Sequence, residues 1–344
     1  MPHRFAAAAL AALIAFGAGA GVAQPRKPAS AETRPAYPAR EDARAFVAEM
    51  AAEHGFAAAD VERWLRDAKF QPRVVELMNR PVLEPPKWYE YAPPFLSAER
   101  VEAGLAFWSA NAAALERAQR TTGVPAEVIV AIIGVETYYG RITGSHRVID
   151  VLATLAFDYP RRAAFFRGEL KEFLLLAREQ RISPLAPRGS FAGAMGLPQF
   201  MPGSYRRFAV DFDGSGSVDL WRSAEDAIGS VANFLVRHDW KPGQPVLAKA
   251  YVDAAQRDAV LRRLDGGLSE RRALGAWNLD GVTTQPLPVD VQPDPIGVLL
   301  LEESATASST WLAFHNFYVI TRYNRSRLYA ASVWQLAQAL RAKR

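Results

Sequence analysis

The 344-residue chain has no cysteine, which excludes disulfides, thiol nucleophiles, thiolate metal sites and a lipid-modified cysteine at a processed N-terminus. Histidine is scarce too. His3, His54, His146, His238 and His315 are scattered without paired spacing, so neither a histidine zinc motif nor a local Ser-His-Asp arrangement has support. A block of charge of one sign is also missing: the formal net charge is +5 and the basic residues are spread along the chain. That pattern reads as a solvated surface with a weak bias toward an anionic polymer, and argues against nucleic-acid binding. No internal repeat recurs at a fixed period.

One long apolar run is present, and it lies at the start. Met1-Pro-His-Arg4 precedes Phe5 to Val22, almost entirely Ala, Gly, Leu, Ile, Phe and Val, and ends in the small-residue pattern Gly21-Val22-Ala23. This reads as a signal peptide, residues 1–23, cleaved before Gln24. A membrane-anchor helix is the competing reading, weakened by the modest hydrophobicity of an Ala/Gly-rich stretch. Removing Arg4 with the leader takes the charge from +5 to +4. Residues 24–42 are Pro-rich and polar, as an extended linker is. The rest is half apolar, enough for one large domain or a few lobes.

Helical periodicity is expected over 42–54, 59–68 and 97–120, with the Pro-rich connector 80–86 between them, and again over 148–157, 161–179, 224–237 and 326–341. Ser223, with Asp226 three residues on, reads as a capping pair for the helix from Ala224. Residues 182–203 hold no period, and their glycines suggest a loop whose backbone approaches a ligand. Pro245–Val252, Ile296–Leu301 and Trp311–Ile320 are β-prone, with turns at Asp265-Gly-Gly267 and Asp280-Gly281. The expected class is mainly α (α+β): a helical lobe over 43–122, a core over 123–241, a small β-rich lobe over 242–322, and a C-terminal helix over 323–344 packing on the helical lobe.

Glu136 is the acid that the pattern singles out. It lies in the largely apolar segment Pro125 to Gly140, which has Pro at a helix start and Gly at its end. Three-to-four-residue spacing puts it on or beside the inward face, where an apolar setting favours the protonated form and makes the group a proton donor. A structural Glu that reaches the surface or pairs with Arg is the other reading of those residues alone.

Five segments together resemble the catalytic region of the lytic murein transglycosylases, most closely the B type, here as a soluble form. They are Gly134-Val-Glu136-Thr, Phe157-Asp-Tyr-Pro-Arg161-Arg162-Ala, Gly189-Ser-Phe-Ala-Gly-Ala-Met-Gly-Leu-Pro-Gln199-Phe-Met-Pro, Asp226-Ala-Ile-Gly-Ser-Val-Ala-Asn233 and Asn316-Phe-Tyr-Val-Ile-Thr-Arg-Tyr323-Asn324-Arg-Ser. They occur in that family's order. The resemblance implies a lysozyme-like core with Glu136 as sole acid/base, and Ser190, Gln199, Arg161, Arg162, Tyr323, Asn324 and Tyr329 lining the sugar and peptide groove. Phe234 stands where relatives often have Tyr, which leaves stacking without a hydroxyl contact. The residue types suit those roles: Gln199 offers donor and acceptor, Tyr rings offer flat faces, and paired guanidinium forks match carboxylates. Core packing for the two Tyr residues and a surface patch for the Arg pair are the structural alternatives.

Asp211-Phe-Asp213-Gly-Ser215-Gly216-Ser217-Val-Asp219 follows an EF-hand loop through its ninth position, but Arg222 stands at the twelfth in place of Glu. The resembled family closes such a calcium site with a later acid, here Glu225 or Asp226. An empty Asp/Gly turn is the alternative. No cofactor is expected to be required beyond this structural calcium.

A glycosidase ordinarily needs two carboxylates. Asp150 and Asp158 each fit a helix-end role, so Glu136 is the one convincing candidate. One acid suffices if the substrate supplies the nucleophile. The expected reaction is water-free cleavage of the β-1,4 bond between N-acetylmuramic acid and N-acetylglucosamine, leaving 1,6-anhydro ends. A hydrolytic muramidase using the same Glu, or a peptidoglycan-binding protein without catalysis, are the alternatives. The expected setting is a soluble periplasmic monomer acting on peptidoglycan glycan strands and stem peptides, with cell-wall synthesis or remodelling proteins as further partners.

Overall fold

Apolar residues at helical spacing fold as helices over most of the chain, and short alternating stretches form two small antiparallel sheets. The computed structural model describes residues 36–81, 85–264, 268, 270–287, 291 and 294–344. The expected leader, residues 24–35 of the linker and the turn at 265–267 lie outside the described residues. In chain order the elements are α1 Glu41–His54, α2 Ala58–Asp67, α3 Pro72–Met78, α4 Trp88–Tyr91, α5 Pro93–Leu96, α6 Ala98–Ala110, α7 Ala112–Thr122 and α8 Ala126–Thr137. There follow β1 His146–Arg147, α9 Val148–Asp158, α10 Ala163–Glu179, β2 Arg188–Gly189, α11 Pro202–Phe208 and α12 Ala224–Arg237. The last stretch holds β3 Leu247–Val252, α13 Arg257–Arg263, α14 Leu274–Leu279, β4 Val282–Thr284, β5 Gly297–Glu302, β6 Ser308–Ala313, α15 His315–Tyr323 and α16 Arg327–Ala342.

Among these residues the chain forms two units, one combining 85–139 with 228–344 and the other 36–81 with 140–227. In the first, α8 is the central element: every residue from Val128 to Val135 is buried, so the helix is apolar all round, as a core helix must be. Helix α16 packs along it, and α6 and α7 also contact it. The four-stranded sheet has the order β4-β3-β6-β5, with Lys249 opposite Trp311 and Val298 opposite Leu312. One of its faces has its own core of Ala250, Val298, Leu312 and Phe314, closed by Val260 of α13 and Trp277 of α14.

Three expectations change here. The helix expected over 97–120 breaks at Asn111, whose backbone leaves the helical region (φ −121°, ψ 25°) and whose side-chain amide donates to the Phe107 carbonyl at 2.8 Å. The strand expected over Trp311–Ile320 stops at Ala313, and Phe317 to Ile320 are helical in α15. Those aromatic and β-branched residues are all buried, and burial overrides their strand preference. The β-rich stretch also contains two helices, because a single sheet face needs a cover to bury it.

In the second unit α9 and α10 pack together, and α9 is buried along most of its length. Asp150 accepts from the Arg147 guanidinium (2.6 and 3.0 Å) and from the Lys69 amide (3.0 Å). Asp158 accepts from Arg40 (2.6 Å) and Tyr37 (3.3 Å). Both carboxylates are structural ion-pair partners. The segment 182–203 is irregular, as expected, and is packed from within: Ala192, Ala194, Met195, Leu197 and Phe200 are buried, and bridges join Gly189 to Met195 and Met195 to Phe200. Its glycines admit the chain's own atoms. A Cβ on Gly193 (φ +87°) would sit 2.6 Å from Leu152.

Candidate active site

Helix α8 ends one residue after Glu136, and the way it ends shapes the site. The left-handed turn falls not on Gly140 alone, as the sequence suggested, but also on Tyr138 (φ 52°) and Tyr139 (φ 57°), where side chains make that conformation unfavourable. Packing compensates. The Tyr139 ring occupies the space left by two glycines: a Cβ on Gly134 would sit 2.6 Å from it, and one on Gly104 would also overlap it. Tyr138 lies under the Arg100 guanidinium at 4.4 Å, and Arg100 in turn donates to the Gly134 carbonyl and, at 2.8 Å, to the Pro94 carbonyl. A cation thereby meets a carbonyl oxygen of the last turn of α8 and ties it to α5.

Glu136 is half-buried in this frame. Loss of water contact pushes its carboxyl up to about 7, opposed in part by the Tyr329 hydroxyl, which donates to Glu136 Oε1 at 2.6 Å. At neutral pH the group is poised between acid and carboxylate. Tyr329 comes from the first turn of α16, whose N-cap Ser326 accepts from the Tyr329 amide at 3.3 Å and so fixes that turn. Its ring stacks on Tyr323 (6.4 Å, 15°), Tyr323 meets Phe234 (4.7 Å), and Phe234 stacks on His238 (4.1 Å, 29°). Burial, then the negative charge of Glu136, holds the Tyr323 and Tyr329 hydroxyls far above their ordinary pKa, so both stay protonated donors.

Of the residues singled out from the sequence, Glu136, Phe234, Tyr323, Asn324 and Tyr329 thus belong to one unit, in which Tyr329 touches both Glu136 and Tyr323, and Tyr323 in turn meets Phe234. Asn324 follows Tyr323 and has a buried, unpartnered Oδ1. Tyr91, at the end of α4, is a member that sequence reasoning missed. Its buried hydroxyl has no partner, and burial, then the charge of Glu136, raises its pKa. Buried polar atoms left open in this way are ready to meet a polar ligand. The one sequence signal for Tyr91 was its place in the aromatic cluster Trp88-Tyr-Glu-Tyr91 after the Pro-rich connector.

Ser190, Gln199, Arg161 and Arg162 belong to the other unit. Ser190 Oγ accepts from the Ala192 and Ala194 amides (3.2 and 3.0 Å), holding the turn. Gln199 (φ +51°) donates through its amide to the Thr143 and Gly196 carbonyls (3.1 and 2.9 Å). Arg161 is exposed, and Arg162 lies over Phe165 at 4.3 Å.

In the same unit Asp211, Asp213 and Asp226 bring carboxylate oxygens within 4.8 Å of one another, and Asp226, rather than Glu225, completes this cluster. Asp226 is fully buried and accepts from the amides of Phe212 (2.8 Å), Asp213 (3.1 Å) and Asp219 (2.8 Å). Its own amide donates to Ser223 Oγ at 3.1 Å, the expected cap. Hydrogen bonds from Ser223, then Ser215, hold the Asp213 carboxyl below its ordinary range. Three carboxylates with the Ser215 hydroxyl and Ser217 carbonyl nearby form an all-oxygen donor set, which fits calcium.

A mainly helical fold that holds a half-buried, raised and tyrosine-bonded Glu among aromatic rings suits acid-assisted cleavage of a glycosidic bond. The Transglycosylase SLT domain family matches residues 38–338, and the chain belongs to it. The chain is 41% identical over 309 residues to membrane-bound lytic murein transglycosylase B of Escherichia coli strain K12, spanning 87% of this chain and 82% of that protein. Soluble lytic transglycosylase SltB1 from Pseudomonas aeruginosa superposes with TM-score 0.81 at 44% identity, over 87% of this chain and 98% of that one. The Escherichia coli lytic transglycosylase Slt35 in complex with calcium superposes with TM-score 0.80 at 41% identity, over 88% and 94%. The protein is a lytic murein transglycosylase, a glycosidic-bond lyase. No helix among the described residues is long and apolar enough to cross a membrane.

Proposed function

We propose that Glu136 alone carries the proton chemistry on murein. Protonated Glu136 donates to the glycosidic oxygen between N-acetylmuramic acid and N-acetylglucosamine, and the C1–O bond breaks. The muramic acetamido group helps to stabilise the cationic centre. Glu136, now a carboxylate, takes the proton of the muramic C6 hydroxyl, whose oxygen attacks C1 and closes a 1,6-anhydro ring. The acid is regenerated and no water is consumed. The observation that carries this reading is the half-buried carboxyl raised to about 7 and held by Tyr329 at 2.6 Å.

On this reading Tyr323, Phe234, Tyr329 and Asn324 border the sugars, with Tyr91 as an added member. Ser190 and Gln199 shape a loop that meets murein, and Arg161 and Arg162 meet lactyl or stem-peptide carboxylates. The loop at Asp211, Asp213, Ser215, Ser217 and Asp226 holds a structural calcium, which would neutralise clustered acids and brace the loop. The chain acts as a monomer in the periplasm after loss of residues 1–23, alongside proteins of cell-wall synthesis or remodelling. The test is release of soluble fragments from purified sacculi by the mature protein and by Glu136→Gln. The account expects release from the first and none from the second, with both folded by circular dichroism. Substantial release by the variant would sink the assignment.

A further inference from the structure

Beside the acidic loop lies an open cavity of about 500 Å³, none of whose lining residues belongs to the Glu136 cluster. Leu176 and Ile182, at the end of α10 and just beyond it, form one apolar wall together with Pro187; Val218 and Trp221 form another. Ile182 is 38% exposed and Trp221 half-buried, so the cleft keeps apolar surface open to solvent. The aromatic wall is held in place. The Trp221 indole N–H donates to the Arg188 carbonyl at 2.8 Å, its ring rests 5.8 Å from that of Tyr205, and the Tyr205 hydroxyl donates to the Val218 carbonyl at 2.7 Å.

The lining carries two guanidinium groups and one carboxylate, with the acidic loop alongside. The Arg188 guanidinium donates to a carbonyl, that of Ser145 at 2.6 Å, and Arg222 makes no ion pair among the described residues. The acid in the lining, Asp219, has Oδ1 already accepting the amides of Trp221 (2.9 Å) and Arg222 (3.0 Å). A fixed apolar cleft with two guanidinium groups and no acid paired to them suits a ligand with aliphatic side chains and free carboxylates. Leu176, Ile182, Ala186, Pro187 and Val218 give the cleft aliphatic surface suited to peptide side chains.

We propose that this cavity is a second, peptide-binding site that takes a murein stem peptide, its aliphatic side chains against Ile182 and Trp221 and its carboxylates on Arg188 and Arg222. The proposal rests on murein being the polymer and assigns it a contact away from the reacting sugars. Such a contact tethers the enzyme to stem peptides independently of turnover.

The test is a titration of full-length mature Glu136→Gln, labelled with ¹⁵N-tryptophan, with a sugar-free stem pentapeptide. The readout is the Trp221 indole N–H resonance, assigned by its loss in Trp221→Phe. A saturable shift of that resonance is expected, weakened about tenfold or more by Arg222→Glu and by amidation of the peptide carboxylates. The other tryptophan resonances report that the exposed-site variant remains folded. No shift at the solubility limit of the peptide, or a shift indifferent to both Arg222→Glu and amidation, overturns the proposal. Product analysis of the unmodified enzyme separates this from the catalytic reading: binding without anhydro products removes that reading alone, whereas anhydro products with a silent Trp221 resonance remove the second site alone.

Discussion

On the proposed mechanism, Glu136 and Tyr329 set the pH dependence of turnover. A donor must be protonated, so kcat/KM should fall as pH rises through about 7. The Tyr329 hydroxyl lowers the Glu136 pKa; Tyr329→Phe should therefore move that alkaline limb upward, and a limb that stays or moves down in a pH–rate profile would contradict the assigned hydrogen bond. Stability follows the same linkage with a definite sign. The folded pKa of about 7 lies above the ordinary 4.5, so the folded state holds the proton more tightly. Stabilisation from this group is full below 4.5 and lost as pH rises through 7. Glu136→Gln removes the dependence, and its stability relative to the parent should rise across that window by at most about 3 kcal/mol, read by urea titration at several pH values.

At the scale of the element, α8 depends on what closes it. Gly134→Ala places a methyl where the Tyr139 ring lies, and loss of about 1–3 kcal/mol is expected, seen as a lower urea midpoint. The sequence made α8 legible because apolar residues crowd it, and it made Glu136 stand out as the acid in their midst. It did not make the αL pair Tyr138-Tyr139 legible, because propensity puts such a turn on Gly140 and the compensation comes from Gly104 and Arg100, far earlier in the chain. The same limit hid Tyr91, and it explains α15: strand-prone residues turn helical when every one of them is buried by distant neighbours. Glycines in 182–203 were visible, but their use was not; they admit Leu152 and Leu220 of the same unit. Asp226 is a second fastening of this kind. Replacing it with Ala strips acceptors from three amides, and a Tm several degrees lower is expected even with a calcium chelator present.

For the whole molecule, the mainly helical class and the small sheet were readable from periodicity, and five ordered motifs carried the family. Asp150 and Asp158, set aside in the sequence as helix-end acids, do prove to be paired with Arg147 and Arg40. Calcium should raise the Tm of the intact protein, and Asp211→Asn with Asp213→Asn should remove the rise; an equal rise in that double variant would place the ion elsewhere. The central claim, one acid and no water, is tested most directly by digesting sacculi in H₂¹⁸O and weighing the muropeptides. Anhydro products without ¹⁸O, absent with Glu136→Gln, are predicted. Reducing ends carrying one ¹⁸O would contradict the account and make the same carboxyl the acid of a hydrolase.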